Sequence, residues 1–290
     1  LRELKIVPEK DQYSAGQTVE GTMIVRCDGE FRCNAIHLTF TGREHTKIVE
    51  SDGENSSTYR QERVYFRTKA EFETECVVAA GETRYPFQFR LPDDAPQSYS
   101  GANGWSEYSL DGVVEVSWAF DPREQTLIIV HDPAGKRVSH PRSESVDRDE
   151  RLALEVELDR DSVCLGEPIA LRFRVAGDVK IRGVRVELWA KEKASAEGHD
   201  AEEKRELVSQ FIEEREVIRD AWMNTEIQTR ESMPASFDGA IVKLETFVKV
   251  TLDVPWAVDT WVTIPVRLVR CADVSTSEID DYFAHEWKPV

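Results

Sequence analysis

The sequence predicts an all-β chain built as two tandem β-sandwiches, and three observations carry that prediction. Short apolar runs alternate with period two, Gly, Pro, Asn and Asp punctuate them, and the second half of the chain repeats the order of the first. The first run, Thr22–Arg26, follows Gly21 and precedes the turn residues Cys27-Asp28-Gly29-Glu30. Ile36–Gly42 alternates strictly, with Ile36, Leu38 and Phe40 on one face and His37, Thr39 and Thr41 on the other, the pattern of a half-buried strand. Further strands read at Arg63–Arg67, Tyr85–Leu91, Tyr108–Phe120 and Thr126–Val130. Between them stand Asp52-Gly53, Ala80-Gly81 and Pro92-Asp93-Asp94, where glycine permits positive φ and proline ends strand pairing. No alternation of strand and helix appears, which disfavours a parallel α/β sheet.

A polar stretch with Gly and two Pro, His131–Glu150, separates the halves. The strand pattern then restarts at Leu152–Leu158. Residues 11–21 (DQYSAGQTVEG) align with 161–171 (DSVCLGEPIAL), placing Gly16 on Gly166. Residues 35–42 align with 183–190. Pro96–Gly101 and Pro234–Gly239 both read P-x-S-[YF]-x-G, and each precedes a long strand. Tyr99 and Phe237 are expected to plug equivalent core positions. Both halves then end on a strand, Thr126–Val130 and Thr260–Val269. The expected organisation is a sandwich over 1–140, a linker over 141–151, a second sandwich over 152–272 and a tail over 273–290.

Two segments break the all-β pattern. Residues 201–220 carry Leu207, Phe211 and Ile218 beside Val208 and Ile212 at the spacing of an amphipathic helix, yet they occupy the place of a strand in the repeat, so both readings stand. In the tail, Ser275–Glu278 has the form of a capping box, and Ile279, Phe283 and Trp287 follow on one helical face. This face is either packed on its own sandwich or presented to a partner.

Composition excludes several functions. The chain of 290 residues carries 37 Lys+Arg against 55 Asp+Glu, a net charge of −18. Residues 1–150 hold 18 cations against 27 acids and residues 151–290 hold 19 against 28, so acidity covers both halves. Nucleic acid is not expected as a ligand, because a phosphate-backbone binder needs clustered cations. No polybasic anchor, apolar run of membrane-spanning length or opening secretory pattern is visible. Only 12 of the cations are Lys and 25 are Arg. Such a surface suits a salty cytoplasm or an ordinary acidic cytosolic protein.

The residues point to no catalysis. There is no G-x-S-x-G, Walker A loop or G-x-G-x-x-G, and the six histidines show neither H-x-H nor H-x-x-x-H spacing. No cofactor and no metal is expected. Cys27, Cys33, Cys76, Cys164 and Cys271 are widely spaced and read mainly as small buried apolar residues, consistent with a reducing cytoplasm. Of the tryptophans, Trp118, Trp189 and Trp256 lie in or beside apolar runs and are expected in the core.

One stretch departs from the acidic background. Residues 60–69 (RQERVYFRTK) hold four cations against one acid. As a regular strand they would set Arg63, Tyr65, Arg67 and Lys69 on one face and Val64 and Phe66 on the other. Together with Arg60 these are candidate partner-binding residues for an acidic or phosphorylated segment, the competing reading being pairing with Glu71, Glu73 and Glu75. Ile279, Phe283 and Trp287 are the second candidate set.

Taken in order, these motifs resemble the arrestin clan. The opening Y-x-x-G-x-x-V-x-G (Tyr13, Gly16, Val19, Gly21) is followed by I-x-L-x-F-x-G (Ile36 to Gly42). Then come G-x-x-x-x-P-F-x-F-x-L-P (Gly81 to Pro92) and P-x-S-Y-x-G (Pro96 to Gly101), with Tyr108 beyond. The resemblance covers most of residues 5–130 and is thinner over 152–270. It implies two arrestin-type, immunoglobulin-like sandwiches and a non-enzymatic adaptor. The clan spans visual and β-arrestins, α-arrestins, retromer subunits and sporulation-control proteins. The implied partners are cytoplasmic tails of membrane proteins or subunits of a sorting complex, with the chain cytoplasmic and peripheral at the membrane through those partners. A structural or regulatory subunit of a larger assembly is the alternative, and a carbohydrate-binding sandwich a third. The polar-core set and phosphate-sensing lysines of receptor-binding arrestins have no counterpart, nor does a P-P-x-Y motif. Low Lys content suits a prokaryotic or archaeal member.

Overall fold

A computed structural model describes residues 2–53, 55–117, 121–131, 139–148 and 152–271. It is built from strands. The first half contains β1 (Arg2–Pro8), β2 (Gln12–Ser14), β3 (Thr18–Cys27), β4 (Phe31–Asp52), β5 (Asn55–Val78), β6 (Gly81–Arg90), β7 (Tyr99–Ser100), β8 (Gly104–Glu115) and β9 (Arg123–His131). The second contains β10 (Arg142–Arg148), β11 (Leu152–Leu158), β12 (Ser162–Cys164), β13 (Pro168–Gly177), β14 (Gly183–Ala196), β15 (His199–Glu213), β16 (Trp222–Gln228), β17 (Phe237–Asp238), β18 (Val242–Asp253), β19 (Thr260–Pro265) and β20 (Arg267–Val269). The chain forms two compact units. The first takes residues up to 133 together with Ser195–His199 and Gly239–Val242, and the second takes the rest.

In the first unit a sheet ordered β1-β3-β6 faces one ordered β2-β9-β8-β4-β5. Leu4, Ile6, Val19, Met23, Phe87 and Phe89 come from the first sheet, and Ile36, Leu38, Phe40, Tyr108 and Leu110 from the second, into one buried cluster. The alternation read in Ile36–Gly42 therefore points its apolar face inward. Phe40 lies edge-on to Phe66 at 5.0 Å between ring centroids. Gly42 makes room for these rings, since a Cβ there would stand 2.6 Å from both Phe66 and Tyr108.

The second unit repeats this plan. A sheet ordered β10-β11-β13-β16 is paired in the same core with β14, β18 and β19, Leu154, Val156 and Phe173 meeting Val184, Val186, Val248 and Val250. β12 pairs with β20 in parallel, as β2 pairs with β9. The aligned glycines make the same turn: Gly16 and Gly166 have φ of +79° and +91°. The next amide reaches back in each, Gln17 N to Ser14 O and Glu167 N to Cys164 O, both at 3.0 Å.

The P-x-S-[YF]-x-G motif owes its form to its serine. Ser98 N donates to Val130 O at 2.7 Å while Ser98 Oγ accepts from Val130 N at 3.0 Å. Ser236 repeats this on Leu268, at 2.8 and 2.9 Å. Each serine thus completes the main-chain pairing of the last strand. Ser236→Ala should cost about 1–3 kcal/mol in a urea melt, because the buried Leu268 amide loses its acceptor. A loss well under 1 kcal/mol would show that another group satisfies it.

Several expectations change. Residues 201–220 are not a helix: β15 runs to Glu213 and only Glu214–Glu216 form a 3-10 turn. Leu207, Val208 and Ile212 are drawn half-buried onto the core. Gly183 lets β15 approach β14, since a Cβ there would meet Ile212 O at 2.3 Å. The stretch expected as a linker, 141–151, contains β10, whose backbone satisfies itself along β11 from Arg142 opposite Leu158 to Arg148 opposite Leu152. The final strand is two, β19 and β20. Trp256 is not core: it is 99% exposed, in a left-handed backbone conformation with φ +62° between β18 and β19. Trp118 and the tail with Ile279, Phe283 and Trp287 lie outside the described residues.

The cysteines are also not separate apolar residues. Cys33 and Cys76 stand directly opposite on β4 and β5 and form a disulfide, and Cys164 and Cys271 form a second. Cys27 alone is free and is buried.

Candidate partner-binding surface

β5 ends the sheet of the first unit, with β4 on one side and no further strand on the other among the described residues. Two irregularities interrupt its pairing. Opposite the steps Ile36/His37 and Gly42/Arg43, β5 carries one extra residue, Phe72 and Tyr65 respectively. The second bulge divides the basic stretch. Arg63 stands opposite Glu44, whereas Arg67 and Lys69 stand opposite Thr41 and Thr39. Opposed residues share a face, and successive residues of β4 alternate. Arg67 and Lys69 are therefore on one face with Arg60, which opposes Lys47, and Arg63 is on the other. The expected single row of Arg63, Tyr65, Arg67 and Lys69 is not formed.

Tyr65 leaves that row because its ring joins the core and its hydroxyl donates to Glu44 Oε2 at 3.1 Å, with Ser106 Oγ at 3.3 Å. Burial, and then the Glu44 charge, push the Tyr65 hydroxyl well above the usual phenol range. Lys69 is held by Glu71 at 2.9 Å. Arg60, Arg63 and Arg67 are exposed and make no ion pair among the described residues. Pairing with nearby acids thus accounts for the lysine and leaves three guanidinium groups open.

Beside this strand, Arg43 Nε donates to Glu107 at 2.9 Å, and the His45 ring stacks on Trp105 at 4.8 Å. Burial raises the Glu107 carboxyl, but His45 and Arg43 outweigh it and hold the group below the usual carboxylate range. Sequence reasoning missed the most enclosed acid. Glu44 is fully buried, and its carboxylate accepts from Ala240 N at 2.8 Å and Ile241 N at 2.9 Å as well as from Tyr65.

In the second unit Glu187 is 4% exposed, and among the described residues its Oε2 has no donor within hydrogen-bond geometry. Burial, and next the neighbouring Glu206, raise its carboxyl, against the opposing pull of Lys249 and Arg185. Its protonated form is thus favoured by folding. This contribution is present below the ordinary carboxylate range and is lost as pH rises through the elevated folded value. Glu187→Gln should therefore raise the urea midpoint at neutral pH and leave it little changed in mild acid. Equal midpoints at both would remove the argument.

Three exposed apolar side chains mark the β18–β19 turn and its strand: Trp256, Val258 at 69% and Trp261 at 50%. Only Trp261 is braced, by Lys249 Nζ 5.4 Å from its ring centre. Trp256→Ser should shift stability by about 0.5 kcal/mol or less, the effect of an exposed site. A loss above 2 kcal/mol, beyond the roughly 0.5 kcal/mol range of surface changes, would show that the indole is packed.

Among the described residues no group of three or more His, Cys, Asp and Glu is arranged to hold a metal ion, and no helix is long and apolar enough to cross a membrane. The fold is that of paired arrestin-type sandwiches. Residues 3–134 match the family model described as arrestin (or S-antigen), N-terminal domain. Residues 3–134 are thus similar to an arrestin N-terminal domain, which supports an arrestin-like family for the chain. It is 27% identical over 122 residues to arrestin domain-containing protein 17 of Caenorhabditis elegans, covering 38% of this chain and 29% of that protein. It is 31% identical over 104 residues to human arrestin domain-containing protein 1, covering 36% and 23%. It is 32% identical over 112 residues to an arrestin-related trafficking adapter of Schizosaccharomyces pombe, covering 36% and 17%. The aligned segments span less than a third of each of these relatives.

Proposed function

We propose that this chain is a non-enzymatic adaptor that binds cytoplasmic tails of membrane proteins or subunits of a sorting complex through acidic segments of those partners. The observation that carries this reading is the set of three unpaired arginines, Arg60, Arg63 and Arg67, on an exposed edge strand of a protein with net charge −18. Guanidinium groups without an internal partner are free to take carboxylates or phosphates in bidentate hydrogen bonds. The name of the Schizosaccharomyces pombe relative, a trafficking adapter, supports the same reading. Tyr65, turned into the core, and Lys69, paired with Glu71, are proposed only as neighbours of this surface, and Ile279, Phe283 and Trp287 as a second contact.

Affinity purification of the tagged chain from its own cells, followed by mass spectrometry, tests this. Membrane proteins or sorting subunits should be retained, and the triple variant Arg60→Glu, Arg63→Glu, Arg67→Glu should lose them. Retention unchanged by charge reversal would reject the surface. Removal of residues 272–290 tests the second contact in the same assay.

A cytoplasmic address is part of the proposal, and the disulfides press against it, since such bonds are uncommon in reducing compartments. Acid quenching of the cells followed by alkylation of the denatured protein decides the matter. All five cysteines react in a reducing compartment, whereas only Cys27 is unpaired in the oxidised fold.

A further inference from the structure

Edge strands carry unpaired N–H and C=O groups that template further pairing, and proteins guard them with charge and bulges. Among the described residues two long strands end their sheets with no further strand beside them. β5 has 24 residues and ends the sheet of the first unit, and β15 has 15 residues and ends its sheet in the second, next to β14 alone. Their charges are opposite. Residues 60–69 of β5 hold four cations and one acid, and β15 holds five acids and two cations. Most side chains along both stretches are exposed. Asp200 and Glu203 of β15, like Arg60, Arg63 and Arg67 of β5, make no ion pair among the described residues.

We propose that two copies of this chain associate by antiparallel pairing of the β5 edge of one with the β15 edge of the other. The register follows from the side chains. With Arg60 opposite Glu206, antiparallel pairing brings Glu62 opposite Lys204 and Arg63 opposite Glu203. The extra residue at Tyr65 then advances β5 by one, and Arg67 falls opposite Asp200. Four consecutive charged positions of β5 thus meet opposite charges, on both faces of the pair. Directly opposed ions of opposite sign stabilise paired strands, and like ions destabilise them. Pairing residues 60–69 with the same residues of a second copy sets cations against cations, and β15 with β15 sets a net anionic strand against itself, so charge favours the mixed pairing. Residues 60–67 in extended form span roughly 25 Å, room for a full set of main-chain hydrogen bonds along the joint. The pairing does not depend on the adaptor reading, but it covers Arg60, Arg63 and Arg67. Self-association would therefore mask the proposed partner surface, and an acidic partner would compete with the second copy.

Sedimentation velocity over a concentration series tests this on the full chain. Association should appear in the unmodified protein. It should disappear in the β5 variant Arg60→Glu, Arg63→Glu, Arg67→Glu and in the β15 variant Asp200→Lys, Glu203→Lys, Glu206→Lys. An equimolar mixture of the two variants should associate again, because the reversed β5 of one meets the reversed β15 of the other. Unchanged circular dichroism and thermal midpoints confirm that each variant is folded. A protein that stays monomeric at every concentration overturns the proposal. So does association that survives either reversal, or a mixture that stays monomeric. The β15 variant also separates the two readings: it should lose self-association and keep acidic partners, whereas failure of the adaptor reading alone would leave self-association intact.

Discussion

Glu44→Ala should lower the stability of the first unit by about 3–5 kcal/mol, although the residue belongs to the commonest charge class in the sequence. The carboxylate is completely buried, a position that costs several kcal/mol of desolvation unless its oxygens are fully used. They are. Oε1 accepts from Ala240 N and Ile241 N, and Oε2 accepts from Ala240 N at 3.1 Å and from Tyr65 Oη at 3.1 Å. Truncation removes the charge but leaves two consecutive main-chain amides and a buried phenol without an acceptor, and each orphaned group costs about 1–3 kcal/mol. Glu44→Gln should do less harm, because one carbonyl oxygen remains while the new NH2 group faces donors. Tyr65→Phe should cost only about 1 kcal/mol, since it removes one of the donors rather than the acceptor that all share. Urea midpoints of the three variants should therefore fall in the order Ala, Gln, Phe, with Ala lowest. A Glu44→Ala protein as stable as the parent would show that water replaces the carboxylate.

The contrast between Glu44 and the strand that bears it shows what a sequence can disclose. Alternation placed Ile36, Leu38 and Phe40 inward, because the pleat forces successive side chains to opposite faces. It could not single out Glu44, whose partners, Ala240 and Ile241, lie about two hundred residues away along the chain. The basic stretch was legible as an anomaly of charge, but its faces were not, because a bulge at Tyr65 adds one residue and moves everything beyond it to the other side. The same limit hid the Cys33–Cys76 bond, which depends on a register set by both bulges. Residues 201–220 satisfied a helical pattern and formed a strand, since β14 offered an edge and the core needed only Leu207, Val208 and Ile212. Trp256 was misplaced for a related reason. Apolar neighbours such as Val254 mark the end of a strand, and the residue after a strand's end belongs to the turn.

Tyr99→Ala and Phe237→Ala should each cost about 3–5 kcal/mol, and the near equality of the two losses is the sharper expectation. The two rings occupy the same place in the two halves of the repeat. Tyr99 opens β7 and is 4% exposed, and Phe237 opens β17 and is 1% exposed. Each lies one residue after the serine that clasps the last strand, and each belongs to a two-residue strand laid on the following long one, Tyr99 opposite Ser106 and Phe237 opposite Leu244. Two residues cannot hold a strand by main-chain bonds alone, so the buried ring and the serine together are expected to fix the segment. Removing the ring leaves a cavity and also loosens the serine, and so should weaken the pairing of the last strand in that half. Amide exchange at Val130 should accelerate in Tyr99→Ala, and at Leu268 in Phe237→Ala, each without change in the other half. A melt that lost under about 1 kcal/mol would mean that the surrounding side chains collapse into the space, against the large-to-small cost seen where packing is rigid. Unequal losses would mean that the two halves share the motif's outline and differ in how tightly they close around it.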